Sequence, residues 1–248
     1  MIEVRQLEKA FGPQRVLDGV SFAIESGETV AVIGRSGCGK SVLLKHVIGL
    51  MRPDRGEVWV DGVDLAPLSE RRLLEVRRKF AMVFQSAALF DSLTVAENVA
   101  FGLRRQPGLT AAEVGRRVGE ALELVALQGT EAKKPAELSG GMRKRVGIAR
   151  AIIYHPQVVL YDEPTAGLDP IVSGSINRLI ETVGTHLHAT SVVVTHDMRS
   201  LERTASRVLF LENGRIHASG TPASLWASEE PLVRQFLHGM AEAGEGGA

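Results

Sequence analysis

The sequence is poor in cysteine, contains no long apolar run and has no net charge. The single cysteine, Cys38, excludes an internal disulfide and a zinc site built from cysteines, and it fits a reducing compartment. No stretch approaches the roughly 20 consecutive apolar residues that a membrane-spanning helix needs. The 29 basic side chains are balanced by 29 acidic ones, so the basic excess typical of duplex-binding proteins is missing. We therefore expect no nucleic-acid partner.

The remaining composition is that of an ordinary globular protein. The chain has 248 residues, of which 44% are hydrophobic and 23% charged, which is enough for one large α/β domain or two small ones. Residues 1–4 lack the basic and apolar regions of a secretory signal peptide. We expect the chain to stay in the cytoplasm, so that any membrane role would come through a partner.

The hydrophobic pattern predicts strands that alternate with helices. Short apolar or alternating runs predict strands at residues 20–24, 29–33, 56–60, 80–84, 158–161 and 191–195. Helical spacing is found at residues 42–50, 110–127 and 176–183. This alternation indicates an α/β fold with a mostly parallel sheet. The Asn213-Gly214 pair predicts a hairpin within residues 207–219, and the glycine-rich residues 241–248 are expected to be disordered.

A phosphate-binding loop follows the strand predicted at residues 29–33. The pattern G-x-x-x-x-G-K-[ST] is formed by Gly34, Arg35, Ser36, Gly37, Cys38, Gly39, Lys40 and Ser41. Glycines let backbone N–H groups surround phosphate oxygens, while Lys40 reaches the β and γ phosphates and Ser41 offers a hydroxyl to Mg²⁺. Cys38 is interpreted as a packing or backbone position of this loop rather than a redox group.

Two adjacent acidic residues follow the strand predicted at residues 158–161. Asp162 is expected to hold Mg²⁺ through water, and Glu163 to polarise the attacking water. The alternative is a solvated turn before Pro164. The phosphate loop upstream favours the catalytic interpretation.

A second predicted helix start lies about 100 residues after the phosphate loop, and it is a second candidate anion site. Ser139 is placed to cap a helix, and Gly140 and Gly141 leave the start of that helix open. The segment 138–142 reads Leu-Ser-Gly-Gly-Met and resembles the Leu-Ser-Gly-Gly-Gln signature of the ABC transporter ATPases.

That resemblance implies a P-loop NTPase fold, an ABC-type ATPase with a RecA-like core, an N-terminal antiparallel β subdomain and a helical subdomain. It also implies ATP and Mg²⁺ as ligands and a homodimer, in which the signature of one copy closes over the γ-phosphate held by the loop of the other. By the same resemblance, Phe11 stacks on adenine, Gln85 links Mg²⁺ and water to the helical subdomain, Asp169 lies in a loop between subunits, and His196 contacts the γ-phosphate. Taken singly, each has a structural alternative: Phe11 a simple core position, and Gln85 and His196 a structural role. The joint order of the motifs favours the functional interpretation.

Departures from the common pattern narrow the resemblance. Met142 replaces the usual glutamine and Val42 the usual threonine, and segments 39–46, 85–99 and 138–146 are similar to those of the Mla and MCE-type lipid transporter ATPases. This similarity implies phospholipid transport through a separate integral-membrane permease. It also implies an MCE-domain lipid-binding protein, a small cytoplasmic accessory subunit and a position on the cytoplasmic face of the inner membrane.

The family pattern covers residues 1–228, with a core formed by residues 1–85 and 155–228 and a helical subdomain at 86–154. Residues 229–248 form a C-terminal extension with an apolar stripe of Leu232, Val233, Phe236, Leu237 and Met240. This stripe either packs on its own domain or docks on the neighbouring subunit.

Three other functions are considered. One is an ABC ATPase subunit for a different solute. A second is a soluble ABC ATPase of DNA repair or translation, which would need a long coiled-coil insertion or two tandem ATPase units, and the sequence shows neither. A third is a nucleotide-binding regulator without turnover, against which Glu163 and His196 argue.

Overall fold

The computed structural model describes residues 1–103, 106, 108–196 and 204–238. The chain folds into two compact units, and the first of them is formed by two separate segments of the chain. The first unit comprises Met1–Leu73 with Val194–Ala248, and the second comprises Leu74–Val193. The region 86–154, expected to be a helical subdomain, lies within the second unit.

An antiparallel sheet begins the first unit, as the sequence resemblance predicts. Its strands are β1 (Ile2–Phe11), β2 (Gln14–Ile24), β4 (Arg55–Val60) and β5 (Val63–Asp64), in the order β2-β1-β4-β5. Ile2 pairs with Ile24 on one side and with Val60 on the other, and all three side chains are buried. Apolar residues therefore share one face of this sheet, which gives the first unit part of its core.

The first unit also contains parallel strands. β3 (Thr29–Ile33) runs parallel to β9 (Arg207–Glu212), which pairs antiparallel with β10 (Arg215–Gly220). Asn213 and Gly214 have φ of 48° and 74°, so the two-residue hairpin turn predicted there is confirmed. Helix α1 (Lys40–Val47) follows β3.

The C-terminal stripe packs partly on its own unit. After β10 come two short helices, α7 (Pro222–Trp226) and α8 (Pro231–His238). Val233 is fully buried, and the Phe236 ring lies 5.1 Å from the ring of Phe210. These contacts favour the first of the two alternatives for the stripe. Met240 and residues 241–248 lie outside the described residues.

The second unit surrounds two parallel strands with helices. β6 (Phe80–Val83) pairs with β7 (Val158–Asp162), in which residues 158–161 are completely buried. The helices are α3 (Val95–Ala100), α4 (Ala111–Leu124), α5 (Gly140–Ile152) and α6 (Pro170–Leu187), with a 3₁₀ turn at Pro135–Glu137. Helix α2 (Glu70–Arg77) and strand β8 (Thr190–Thr195) each span a boundary between the units.

The start of α4 is capped by Thr110, the first residue of the range predicted to be helical. Thr110 Oγ1 accepts a hydrogen bond from the Glu113 N–H at 3.2 Å. The helix ends at Leu124 rather than near residue 127, because Ala126 has a left-handed φ of 54° that stops the helix. In the described part of the chain, no helix is both long and apolar enough to cross a bilayer.

Candidate active site

The glycine-rich loop between β3 and α1 has its lysine folded back over the loop backbone. Lys40 is buried, and its ammonium group donates hydrogen bonds to the carbonyl oxygens of Gly34 at 2.8 Å and Arg35 at 2.9 Å. Helix α1 begins at Lys40, and its N-cap residue, Gly39, makes no side-chain hydrogen bond to the first turn. Because a helix start carries a partial positive charge, the lysine and the helix together favour a bound anion.

Two glycines of the loop have no room for a side chain. A Cβ atom at Gly34 would lie 2.0 Å from the carbonyl oxygen of Leu211, which is fixed backbone. Gly39 has a φ of 107°, and its Cβ would meet the carbonyl oxygen of Val16 at 2.9 Å. Only glycine tolerates this backbone conformation and this close approach. The loop glycines are therefore required by the packing of the loop itself.

The thiol of Cys38 is a packing group in this loop. It is partly buried, and its Sγ would lie 2.7 Å from a Cβ atom at Gly34. Burial raises the pKa of the thiol, and the nearby Lys40 opposes that rise only in part. A thiol with a raised pKa is mostly protonated at neutral pH and reacts slowly as a nucleophile. The geometry supports the packing role that the sequence suggests.

Asp162 and Glu163 lie where a buried strand ends. Asp162 is the last residue of β7 and is half-buried, and Glu163 directly after it has a left-handed φ of 48°. Such a conformation costs a non-glycine residue roughly 1–3 kcal/mol and is concentrated at functional sites. The direction of the Glu163 side chain is therefore set by this turn and not by the alternation of the strand.

The backbone of Glu163 is held by Lys144 of α5. Lys144 Nζ donates a hydrogen bond to the carbonyl oxygen of Glu163 at 3.3 Å and another to the carbonyl oxygen of Gln85. The N–H of Ala166 also donates to the Glu163 carbonyl, at 3.2 Å. Burial lowers the pKa of Lys144, while the Glu163 carboxylate acts in the opposite direction. One side chain thus connects Gln85 with Glu163.

The loop after Gln85 is fixed by the same helix. Ala87 and Ala88 both have left-handed conformations, with φ of 61° and 46°. Arg150 donates hydrogen bonds to the carbonyl oxygens of both alanines at 2.7 Å. At Gly147, a Cβ atom would lie 3.2 Å from the Cβ of Ala87. Helix α5 therefore supports this loop through charged hydrogen bonds and close packing.

The signature segment opens α5 as the sequence predicts. Ser139 Oγ accepts a hydrogen bond from the Met142 N–H at 3.3 Å, which confirms the predicted N-cap. Ser139 is exposed, whereas Gly141 is buried against α6, and a Cβ there would lie 2.6 Å from Val172 Cγ1. The start of α5 is therefore accessible at the surface, although its second glycine is needed for packing.

Asp169 caps α6. Its carboxylate accepts hydrogen bonds from the N–H groups of Ile171 and Val172, both at 3.0 Å. The next large apolar side chain, Ile171, is 84% exposed. An apolar side chain that is this exposed beside a loop assigned to a subunit contact is a candidate for burial by a partner.

The other candidate residues lie at the ends of strands. Phe11 ends β1 and is 47% exposed, so it is not a core residue, and Lys9 Nζ lies 5.7 Å from its ring centre. Gln85 and His196 have exposed side chains shortly after β6 and β8. The phosphate loop, Phe11 and His196 belong to the first unit, whereas Gln85, Asp162, Glu163, Ser139 and Asp169 belong to the second. Their roles toward a nucleotide stay predictions.

The donor groups suit a magnesium–triphosphate complex. A buried ammonium group at the start of a helix suits phosphate, and the oxygens of Ser41, Gln85 and Asp162 are hard ligands of the kind Mg²⁺ prefers. Among the described residues, no three His, Cys, Asp or Glu side chains are grouped so as to hold a metal. Mg²⁺ is commonly bound by one or two protein groups together with phosphate oxygens and water, so the chemistry of each of these oxygens fits it.

A groove lined by exposed aromatic side chains lies in the second unit. It has a volume of about 390 Å³, and Phe84, Phe90, Phe101 and Tyr154 on its walls are between 37% and 43% exposed. The rings of Phe90 and Phe101 are 4.4 Å apart. Four partly exposed aromatic side chains around one groove are typical of an interaction surface.

A buried asparagine fixes the edge of the aromatic groove. The Asn98 side chain accepts a hydrogen bond from the Phe90 N–H and donates to the carbonyl oxygens of Phe90, Leu93 and Thr94, at distances of 2.8 to 3.2 Å. Asn98 is fully buried, so these bonds are shielded from water. The groove is therefore held in a defined shape by its own unit.

Sequence reasoning does not single out Lys144, Arg150 or Asn98. Lys144 stands between Arg143 and Arg145, and composition alone does not distinguish the three. Helical spacing sets Arg143 apart but does not separate Lys144 from Arg145. Gly141, Ile148 and Ala151 stand three before and four and seven after Lys144, and Met142, Ala149 and Ile152 stand at the same offsets from Arg145. A lysine on the apolar face of a helix signals a specific hydrogen-bonding role.

Known proteins resemble this chain over nearly all of its length. A family model described as "ABC transporter" matches residues 17–166. The chain is 42% identical over 238 residues to the Probable ribonucleotide transport ATP-binding protein mkl of Mycobacterium leprae, covering 96% of this chain and 69% of that protein. It is 38% identical over 242 residues to the Intermembrane phospholipid transport system ATP-binding protein MlaF of Escherichia coli K12, covering 98% of this chain and 90% of that protein.

A solved structure gives the same fold. A dimeric ATP-binding cassette in a post-hydrolysis state, bound to ADP and Pi, superposes with a TM-score of 0.81 at 31% identity, covering 90% of this chain and 99% of that one. The α/β P-loop fold with an N-terminal antiparallel sheet is thereby confirmed. The chain belongs to the ABC transporter family, as an ATP-binding and ATP-hydrolysing subunit.

Proposed function

We propose that this chain powers phospholipid transport through a separate integral-membrane permease. The observation that carries the proposal is the aromatic groove, because two of its lining residues, Ala88 and Phe90, lie in segment 85–99, whose sequence is similar to that of the Mla and MCE-type ATPases. The similarity to the phospholipid-transport protein extends over 90% of that protein's length. The groove, fixed by Asn98 and α5, offers an apolar surface to a cytoplasmic segment of the permease.

The active form is a homodimer that holds nucleotide between its two copies. Ser139 and Asp169 are exposed, and Ile171 beside them is an apolar side chain without cover from its own unit. An isologous dimer would bury these surfaces symmetrically. Each copy would then supply a phosphate loop to one site and Ser139, Gly140 and Gly141 to the other.

The residues of the phosphate loop hold the triphosphate, and those of the second unit act on water. Lys40 binds phosphate oxygens, Phe11 stacks on the base, and His196 contacts the γ-phosphate. Ser41, Gln85 and Asp162 would hold Mg²⁺, which would supply positive charge that offsets the charge of the phosphates. Glu163 orients and polarises the attacking water, a contribution typically of about 10²–10⁴-fold in rate.

The wider assembly follows from the same similarity. An MCE-domain lipid-binding protein would carry lipid beyond the membrane, and a small cytoplasmic accessory subunit would bind the ATPase. The ATPase itself would lie on the cytoplasmic face of the inner membrane, where the permease holds it.

Isolation of the complex tests the proposal. The tagged chain, extracted from its native membranes in a gentle detergent, should bring with it a permease and phospholipid, identified by mass spectrometry. The matched control is Phe90→Asp, which places a charge in the groove and should lose the permease while ATP binding stays intact. Recovery of equal amounts of permease by both proteins would contradict the groove assignment.

A different solute is the second candidate, because the mycobacterial relative is described as a ribonucleotide transport protein. The purified complex, reconstituted in vesicles, distinguishes the two. Turnover that rises with phospholipid and not with ribonucleotides supports lipid transport. Turnover that rises with ribonucleotides alone would assign the other solute and would leave the ATPase function unchanged.

A further inference from the structure

Lys144 is a buried cation placed between two catalytic segments. In the described part of the chain, Lys40 and Lys144 are the two lysines whose side chains are buried. Lys40 serves the phosphate loop. Lys144 is directed at backbone carbonyl oxygens of Gln85 and Glu163, which are 78 residues apart in the sequence, 85 against 163. A charged donor that bonds two carbonyl oxygens at a partly buried site constrains both.

Both segments need such a constraint. Glu163 has a left-handed conformation, and so have Ala87 and Ala88 just after Gln85. Each left-handed non-glycine residue is disfavoured unless the surroundings hold it. Arg150 holds the two alanines, and Lys144 holds Glu163 and Gln85. Helix α5, which begins at the signature, thereby fixes both loops.

We propose that Lys144 is a positioning residue that sets the Glu163 carboxylate and the Gln85 loop in register for hydrolysis. The inference rests on the proposed role of Glu163. Lys144 touches neither nucleotide nor water in this proposal, and it acts through the backbone of the two residues it binds. Since the Gln85 loop borders the aromatic groove, Lys144 also connects that groove with Glu163.

The test separates turnover from nucleotide binding. Lys144→Met keeps an unbranched side chain, one bond shorter, and removes its donor, and we expect kcat to fall by about tenfold or more while the Kd for ATP changes by less than about threefold. Combined with Glu163→Gln, it should cause little further loss, because both changes act on one group. A fall in kcat with an equal weakening of ATP binding would overturn the proposal, as would wild-type turnover.

Arg145→Met is the matched control. Arg145 lies on the same helix and donates at 2.6 Å to the carbonyl oxygen of Val125, away from both loops. The Arg145→Met variant should keep kcat within about twofold of wild type. If Lys144→Met and Arg145→Met lose kcat equally, Lys144 only supports the helix and the proposal fails.

A second variant keeps the test decisive if Lys144→Met does not fold. Lys144→Gln retains an N–H donor on a side chain one bond shorter, so it should reach one carbonyl at a time and give intermediate turnover with unchanged ATP affinity. Wild-type turnover in this variant would contradict the proposal. In every case, ATP hydrolysis by the wild-type complex tests the proposed function separately.

Discussion

Arg35 Nε lies 3.7 Å from Glu212 Oε1 and joins the phosphate loop to the end of β9. Glu212 is buried, and its Oε2 atom has no hydrogen-bond partner in the described part of the chain. The Arg35 side chain is 51% exposed. The exposed guanidinium of Arg35 therefore offsets the charge of the buried Glu212 carboxylate, and the ion pair restrains the phosphate loop.

Arg35→Ala should weaken ATP binding and lower the free energy of unfolding by about 1 kcal/mol, because half-exposed pairs contribute little more than this. Calorimetry and denaturant titration measure the two effects. Glu212→Gln in the same chain removes the unpaired charge and should restore most of the stability. If the double variant loses as much unfolding free energy as the two single variants together, or more, Arg35 does not compensate the charge of Glu212.

Glu163→Gln should keep ATP binding and lower turnover by about 10²–10⁴-fold, because an amide cannot accept a proton from water. With ATP bound and not hydrolysed, the dimer should stay closed. Size-exclusion chromatography with light scattering would show a dimer in ATP and a monomer without it. Hydrolysis at the wild-type rate would remove Glu163 from the mechanism.

Cys38 reports on occupation of the phosphate loop. Because its thiol is partly buried beside Gly34, a bulky maleimide should react slowly and, once attached, block ATP binding. Bound ATP should protect the thiol. Labelling followed by mass spectrometry gives the rate, and Cys38→Ser, which cannot be labelled, is the control for reagent damage. Unimpaired ATP binding after complete labelling would show that the thiol lies outside the site.

The regular elements and the phosphate loop were predictable because their signals are local. Apolar runs locate β3 and β7, and the Asn213-Gly214 pair suits a turn with two left-handed residues. Ser139 was predictable as a cap for the same reason. These features depend on a few adjacent residues and little on the rest of the chain.

The supports of the site were not predictable, because they join distant parts of the chain. Alanine and glutamate rarely adopt left-handed conformations, so the sequence gives no sign of them at Ala87, Ala88 or Glu163. The bonds of Lys144 depend on where α5 packs. The sequence also assigned Asp169 to a subunit contact without its capping role, although an aspartate before Pro170 is a standard helix start.

The C-terminal helix offers a test of the two alternatives for its stripe. Phe236 is half-buried against Phe210, so Phe236→Ala should lower the free energy of unfolding of the subunit by about 1–3 kcal/mol, less than for a fully buried ring. Truncation after Ser228 should lower it similarly. If truncation abolishes assembly of the complex while the subunit stays equally stable, the stripe docks on the neighbouring subunit instead.

The dependence of ATP turnover on protein concentration tests the central claim most directly, since two copies are required for each site. At saturating ATP, the rate per molecule should rise with concentration and level off as dimers form, with light scattering recording the dimer fraction. Ile171→Asp, which charges the exposed apolar side chain beside Asp169, should shift this rise to higher concentration. A constant rate per molecule, down to concentrations at which only monomer is present, would contradict the account.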